Sequence, residues 1–207
     1  MPNRRVLLMS YRRHARLRNI MLIETSRLIL RTFQMIDLER FVAYRSDPDT
    51  ARYQGWEAPF PVDVARQFID EMMRQPPAVP GTWYQLAMER RSDGRLLGDC
   101  AIHFRDDQPR QAEIGFTLAR DAQGRGYATE AVLGVLSYLF EELDYHRVAA
   151  NCDADNVRSA RLLERVGMRR EGHFVESYWS KDRWTSEYHY AILQREWRDR
   201  PAGANPA

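Results

Sequence analysis

Two glycines one residue apart, in Gln123-Gly124-Arg125-Gly126-Tyr127-Ala128-Thr129-Glu130-Ala131, constrain this chain more than any other feature. Just before them, Ala112-Glu113-Ile114-Gly115-Phe116-Thr117-Leu118 alternates and is rich in β-formers, which predicts a strand. Just after them, Ala128, Ala131, Val132, Val135, Leu136, Leu139, Phe140 and Leu143 recur at helical spacing, which predicts a helix with one buried face. The glycines therefore sit where a strand hands over to a helix. Free backbone N–H groups and the positive end of the helix dipole favour a bound phosphate at such a junction. Glycine lets the main chain approach a ligand and take dihedrals that other residues resist. A tight β-α turn with no ligand is the competing reading, because short glycine patterns are weak signals.

The loop is neither of the commoner phosphate motifs. A dinucleotide G-x-G-x-x-G needs glycine where Thr129 stands, and a Walker A loop needs Gly-Lys-Ser/Thr after a four-residue spacer. Gln123-x-x-Gly126-x-Ala128 instead resembles the Q/R-x-x-G-x-G/A loop of the GNAT N-acetyltransferases. Asn156-Val-Arg-Ser159-Ala-Arg-Leu162 through Gly167-Met168 is similar to the helix and turn that follow in that family. The opening stretch from Leu22 through Arg27 and Leu28 to Arg31, together with Trp56, resembles the subgroup of ribosomal-protein alanine acetyltransferases. The resemblance runs from about Met21 to about Trp197.

That resemblance implies a GNAT fold: a single mixed, largely antiparallel twisted sheet flanked by helices, with a splayed strand pair at the acetyl-CoA site. The chain's own element order points the same way. Leu28–Phe33 reads as a first strand, with Asp37 capping a helix over Leu38–Arg45 that ends at Asp47-Pro48-Asp49. A second amphipathic stretch covers about Val62 to Arg74. Trp83–Glu89 and Leu96–Phe104 form a hairpin around Ser92-Asp93-Gly94. The strand before the glycines and the helix after them follow. Arg147–Cys152 is the next strand, then the Asn156 helix, then Arg169–Ser177 and Trp184–Leu193 as a closing pair. This order predicts an α+β fold around one mixed sheet.

By the resemblance, the backbone of Gln123, Gly124, Arg125, Gly126 and Ala128 holds the pyrophosphate of acetyl-CoA. Thr129 adds a hydroxyl contact or simply stabilises the turn. Phe116 and Leu118 offer main-chain groups to the peptide-like pantetheine arm, which can lie beside a strand as a pseudo-strand. Asn156 is a pantetheine ligand or an ordinary N-cap. Glu113, on the strand face away from Ile114, Phe116 and Leu118, is the candidate general base that takes the proton of the substrate ammonium; a solvated strand carboxylate is its alternative. Many relatives carry a tyrosine seven residues after the asparagine to protonate the departing thiolate, but Leu163 stands there. Ser159 is the remaining hydroxyl on that motif. It either hydrogen-bonds the thiolate or bonds back to its own helix. Tyr53, Trp56, Tyr178, Trp179 and Trp184 fall in segments that would wall an acceptor slot, although core packing is the commoner fate of such residues. His103, His146, His173 and His189 show no ligand spacing, so no metal is expected.

Composition narrows the partners. The formal net charge is +2, yet residues 1–20 alone hold six arginines and no acid, so the remainder is net acidic. This distribution argues against nucleic acid as a partner of the domain. Residues 1–20 read as a disordered basic extension, residues 21–198 as the catalytic domain and residues 199–207 as a flexible tail. No apolar run approaches a membrane span. Cys100 and Cys152 are isolated, which fits free thiols in a reducing, cytoplasmic setting. By the resemblance, the acceptor is expected to be an amine, either a protein N-terminus or a small molecule such as an amino acid, polyamine or aminoglycoside. A homodimer is left open, as is a non-catalytic acyl-CoA-binding module on the same fold.

Overall fold

The computed structural model describes residues 21–108 and 110–200, so the expectations for residues 1–20 and 201–207 lie outside the described residues. In chain order the elements are β1 (Ile23–Glu24), β2 (Leu28–Thr32), α1 (Leu38–Arg45), α2 (Pro48–Ala51), α3 (Val62–Arg74), β3 (Thr82–Arg90) and β4 (Leu96–Phe104). Then come β5 (Gln111–Leu118), α4 (Tyr127–Ser137), β6 (Arg147–Asp153), α5 (Val157–Arg165), β7 (Arg169–Ser180), β8 (Arg183–Leu193) and α6 (Gln194–Arg198). The eight strands form one sheet in the order β1-β2-β3-β4-β5-β6-β8-β7. Every neighbouring pair is antiparallel except β5 and β6, which run parallel. This is the mixed, largely antiparallel sheet expected.

Local chemistry accounts for most of the element ends. The buried residues of α3, Ala65, Ile69 and Met72, recur at helical spacing, and the helix stops where Gln75 turns to extended backbone before two prolines. Phe33, Phe41 and Phe68 pack together with ring centroids 5.2–5.9 Å apart and fasten α1 and α3 to the sheet. The Asp47-Pro48 step does end α1, but it also starts α2: Asp47 caps that helix by accepting from the Thr50 N–H at 2.8 Å, and Pro48 occupies its first turn.

Asp37 departs from expectation. It lies inside a 3-10 turn, Met35–Asp37, that runs straight into α1, and its side chain does not cap that helix. Its carboxylate is held instead by Arg31 Nη1 and Nη2, both at 2.8 Å, and by the Gln34 N–H at 2.8 Å. A bidentate guanidinium outcompetes a single cap bond. β1 and α6 are too short to show a period, and the helix expected through Leu143 ends in a π turn, Tyr138–Glu142.

Candidate functional site

The parallel pair at the centre of the sheet is a fork. β5 and β6 register only over Gln111↔Arg147, Ala112↔Val148 and Glu113↔Ala149, and no further partners follow. On its other edge β5 stays zipped to β4 as far as Gly98↔Leu118. The Ala119 N–H donates to Leu97 O of β4 at 2.8 Å. Backbone groups alternate sides along a strand, so the N–H groups of Phe116 and Leu118 point the opposite way, into the opening toward β6. Leu118 is buried and Phe116 half-buried. The amide of Gln123 closes one position in the opening. Its Nε2 donates to Leu118 O at 3.0 Å, and its Oε1 accepts from Arg158 Nη1 at 2.9 Å.

The glycine loop stands at the wide end of this fork. Gly124 and Gly126 have φ of 74° and 79°, a left-handed region that is strained for other residues. Gly126 is the N-cap residue of α4 and has no side chain to cap it, so the first amides of α4 are left without an intrahelical partner. Gly124, Arg125 and Gly126 are exposed, Ala128 is half-buried and Thr129 is buried. Alternating loop dihedrals next to an uncapped helix start make a concavity of N–H groups that suits an anion. The Thr129 hydroxyl accepts from Arg165 Nη1 at 3.4 Å.

Glu130, one position further along α4, was given no role by the sequence. It is only 5% exposed and acts as the bracket behind the loop. Its Oε1 accepts from the Thr25 hydroxyl at 2.6 Å, the Ser26 hydroxyl at 3.1 Å and the Arg27 N–H at 2.7 Å; its Oε2 accepts from Arg27 Nε at 2.6 Å. Burial alone would raise its pKa, but these hydrogen bonds from Thr25, Arg27 and Ser26 outweigh it and bring the group below the usual carboxylate value. Arg27 then donates Nη1 to Arg125 O at 3.0 Å and lies over the Tyr127 ring. The β1–β2 turn is thereby tied to the helix end of the glycine loop. Only the acid in the first turn of a predicted helix hinted at this, and an acid there is common for dipole reasons alone.

Glu113 is half-buried at the last registered position before the strands part, between His103 of β4 and Ala149 of β6. Asn156 opens α5 as an N-cap, its side-chain oxygen accepting from the Ser159 N–H at 3.2 Å. Ser159 is half-buried, with no hydrogen bond from its hydroxyl to another described residue. Burial pushes both thiols up, Cys152 to about 11 and Cys100 further, so neither is a ready nucleophile at neutral pH. Among the described residues no group of three or more His, Cys, Asp and Glu is placed to hold a metal. No helix among them is long and apolar enough to cross a membrane.

The segment around α2 crosses the wide end of the fork. Asp49 pairs with Arg120, just past β5, and the Tyr53 hydroxyl donates to Asp155 O, just past β6, at 3.3 Å. The tip of the β7–β8 hairpin hooks onto the same segment through Lys181 Nζ, which donates to Ala51 O at 2.8 Å and Trp56 O at 2.9 Å. Between them lies a cavity of about 380 Å³ lined by Pro48, Ala51, Arg52, Glu57, Lys181 and Arg183, among others. The aromatic residues of these segments divide between packing and exposure. Trp56 packs on the buried Arg45 guanidinium at 4.0 Å and donates its Nε1–H to Arg45 O. Tyr178, Trp179 and Trp184 are exposed on the hairpin, with the two tryptophan rings 5.3 Å apart.

Comparison with known proteins agrees with this geometry. Residues 27–169 match the family model described as an acetyltransferase (GNAT) domain. An uncharacterized N-acetyltransferase, YnaD, of Bacillus subtilis is 31% identical over 175 residues, which is 84% of this chain and 98% of that protein. The crystal structure of a GNAT-family acetyltransferase from Bacillus anthracis superposes with a TM-score of 0.75 at 31% identity, over 84% of this chain and 99% of that one. A spermidine N(1)-acetyltransferase of Vibrio cholerae is 30% identical over 91 residues, covering 44% of this chain and 53% of that protein.

Proposed function

The chain belongs to the GNAT acetyltransferases, and from that premise we propose that it moves an acetyl group from acetyl-CoA to the N-terminal amine of a polypeptide by direct attack in a ternary complex. The observation that carries the reading is the meeting of two sets of free backbone donors at one place: the turned-out amides of Phe116 and Leu118 in the β5–β6 fork, and the uncapped start of α4 beyond Gly126. The loop Gln123–Gly126 with Ala128 and Thr129 would hold the pyrophosphate. The fork would take the pantetheine arm beside β5. An N–H of that strand would donate to the thioester oxygen, where charge develops as the amine adds, an effect worth about 3 kcal/mol in comparable acyl-transfer sites.

Glu113 takes the role of base in this reading, because it sits where the fork closes and the thioester would end. It removes the proton of the acceptor ammonium directly or through one water. Asn156 keeps its side-chain N–H groups for the pantetheine arm while its oxygen caps α5. Ser159, three residues past that cap and with no hydrogen bond from its hydroxyl to another described residue, is the candidate partner of the departing thiolate. Two high-pKa cysteines favour direct attack over an acyl-cysteine intermediate.

A small amine is the second reading, favoured by the spermidine-acetylating relative. Charge speaks against a polycation here: the cavity between α2 and the hairpin carries Arg52, Lys181 and Arg183 against Glu57. The exposed aromatic hairpin beside it offers the extended contact that a peptide can use. Thermal unfolding with acetyl-CoA, CoA and ATP, followed by matched acetylation assays on peptides and spermidine, tests both levels. A ligand at a hundred times its Kd adds about 2.7 kcal/mol, or roughly 5–10 °C at this size. A shift with acetyl-CoA and CoA but not ATP is expected. No shift would leave only a binding-incompetent module on this fold, and preference for spermidine would transfer the acceptor to the small-amine class.

A further inference from the structure

Among the described residues most arginines are matched to carboxylates: Arg147 and Arg169 share Glu171, Arg90 takes Asp93, and Arg31 takes Asp37 and Glu89. Beside the glycine loop Arg27 keeps that habit with Glu130, but three other arginines do not. Arg125, Arg158 and Arg165 have no carboxylate within salt-bridge distance among the described residues. Arg158 and Arg165 are seven residues apart on α5, two helical turns, and so share one face of it. Each reaches the loop through a neutral oxygen: Arg158 Nη1 to Gln123 Oε1 at 2.9 Å and Arg165 Nη1 to Thr129 Oγ1 at 3.4 Å. These contacts aim the guanidinium groups without cancelling their charge and leave most of each group's five N–H donors unused.

The placement also runs against local preference. Arg158 lies in the first turn of α5, which contains no acid, where the helix dipole disfavours a cation. A purely structural side chain there gains little from being charged. The positive charge exceeds what a pyrophosphate asks for, since loop amides and the α4 dipole already serve that group. CoA carries one further phosphate, a monoester on the ribose, close to doubly charged at neutral pH and well matched to a guanidinium fork.

We propose that Arg158 and Arg165 of α5, together with Arg125 of the loop, form a subsite for the ribose 3′-phosphate, so that this protein selects CoA thioesters over those lacking that phosphomonoester. The proposal rests on the glycine loop holding the pyrophosphate. Its test compares acetyl-CoA with acetyl-dephospho-CoA, in binding and in steady-state kinetics, for the wild-type protein and for Arg158→Gln, Arg165→Gln and the double variant. Wild-type protein should bind acetyl-CoA about tenfold or more tightly than the dephospho form, equivalent to about 1.4 kcal/mol. The double variant should lose that preference by weakening acetyl-CoA about tenfold while its affinity for the dephospho form stays within about twofold. Added salt should shrink the wild-type preference.

Equal affinity of the wild-type protein for both thioesters would overturn the subsite. So would a double variant that loses affinity for both in parallel, since the arginines would then serve the pyrophosphate or the loop's shape. Lysine in place of each arginine keeps the charge and should restore part of the preference; failure of lysine and glutamine variants alike, with lowered midpoints, would mark the residues as structural. Failure of wild-type protein to bind either thioester would instead bring down the loop reading itself.

Discussion

Replacing Glu130 with glutamine removes one charge from the bracket behind the glycine loop while keeping its volume. The carboxylate accepts four hydrogen bonds, at 2.6, 3.1, 2.7 and 2.6 Å, from Thr25, Ser26 and the backbone and side chain of Arg27. Glutamine's oxygen can retain the Oε1 contacts, but its amide then meets Arg27 Nε donor to donor. Hydrogen bonds to a charged group are worth about 1.5–3 kcal/mol each. The Arg27 side chain is 41% exposed, so solvent screening moves its share toward the lower end. Losing the ion pair and weakening the remaining three bonds should cost about 2–3 kcal/mol, a fall in Tm of roughly 5–10 °C for a domain of this size.

The effect should depend on pH. Glu130 has a folded pKa below its ordinary value, so its stabilisation is complete above the unfolded pKa and is lost as pH falls through the folded one. Urea unfolding of Glu130→Gln and the wild-type protein should therefore differ most at neutral pH and converge as pH falls through the lowered folded pKa of Glu130. A gap under about 0.5 kcal/mol at pH 7, the range of ordinary surface changes, would refute the bracket. A gap independent of pH would show that glutamine's shape, not the missing charge, was responsible.

Two further substitutions probe the site. Gly126→Glu places a side chain where φ is 79° and where even a Cβ would lie 3.3 Å from Arg27 Nη2, and it adds an anion to an anion site. Affinity for acetyl-CoA, measured by calorimetry, should fall about 100-fold or more, and an unchanged Kd would end the loop assignment. Glu113→Gln should lower kcat by roughly 100-fold, the scale of a general base, while the KM for acetyl-CoA stays within about twofold. Undiminished turnover would remove Glu113 from the chemistry.

Features written in consecutive residues were legible before the structure. The α1 and α3 boundaries, the β3–β4 hairpin, the strand before the glycines and the amphipathic helix after them all follow from local periodicity and turn chemistry. The α+β sheet follows from their order. Asn156 as an N-cap follows from its residue type, while its alternative as a ligand came only from resemblance. Where a long-range partner competed, local reasoning failed. Asp37 reads as a helix cap, yet Arg31 and Gln34 take its carboxylate. Trp56 takes the commoner of its two fates, packing, against Arg45.

The chain's sequence alone determines that a strand, a two-glycine turn and a helix follow one another, because φ preferences and hydrophobic period act over a few residues. Only the tertiary structure decides that β5 stops pairing with β6 after Glu113, since the paired residues lie 36 positions apart and nothing in either strand announces where their ladder ends. The same holds for the ring of side chains around the loop. Arg27, Glu130, Arg158 and Arg165 come from three separate segments, and hydrogen bonds between distant side chains leave no period for a sequence to display.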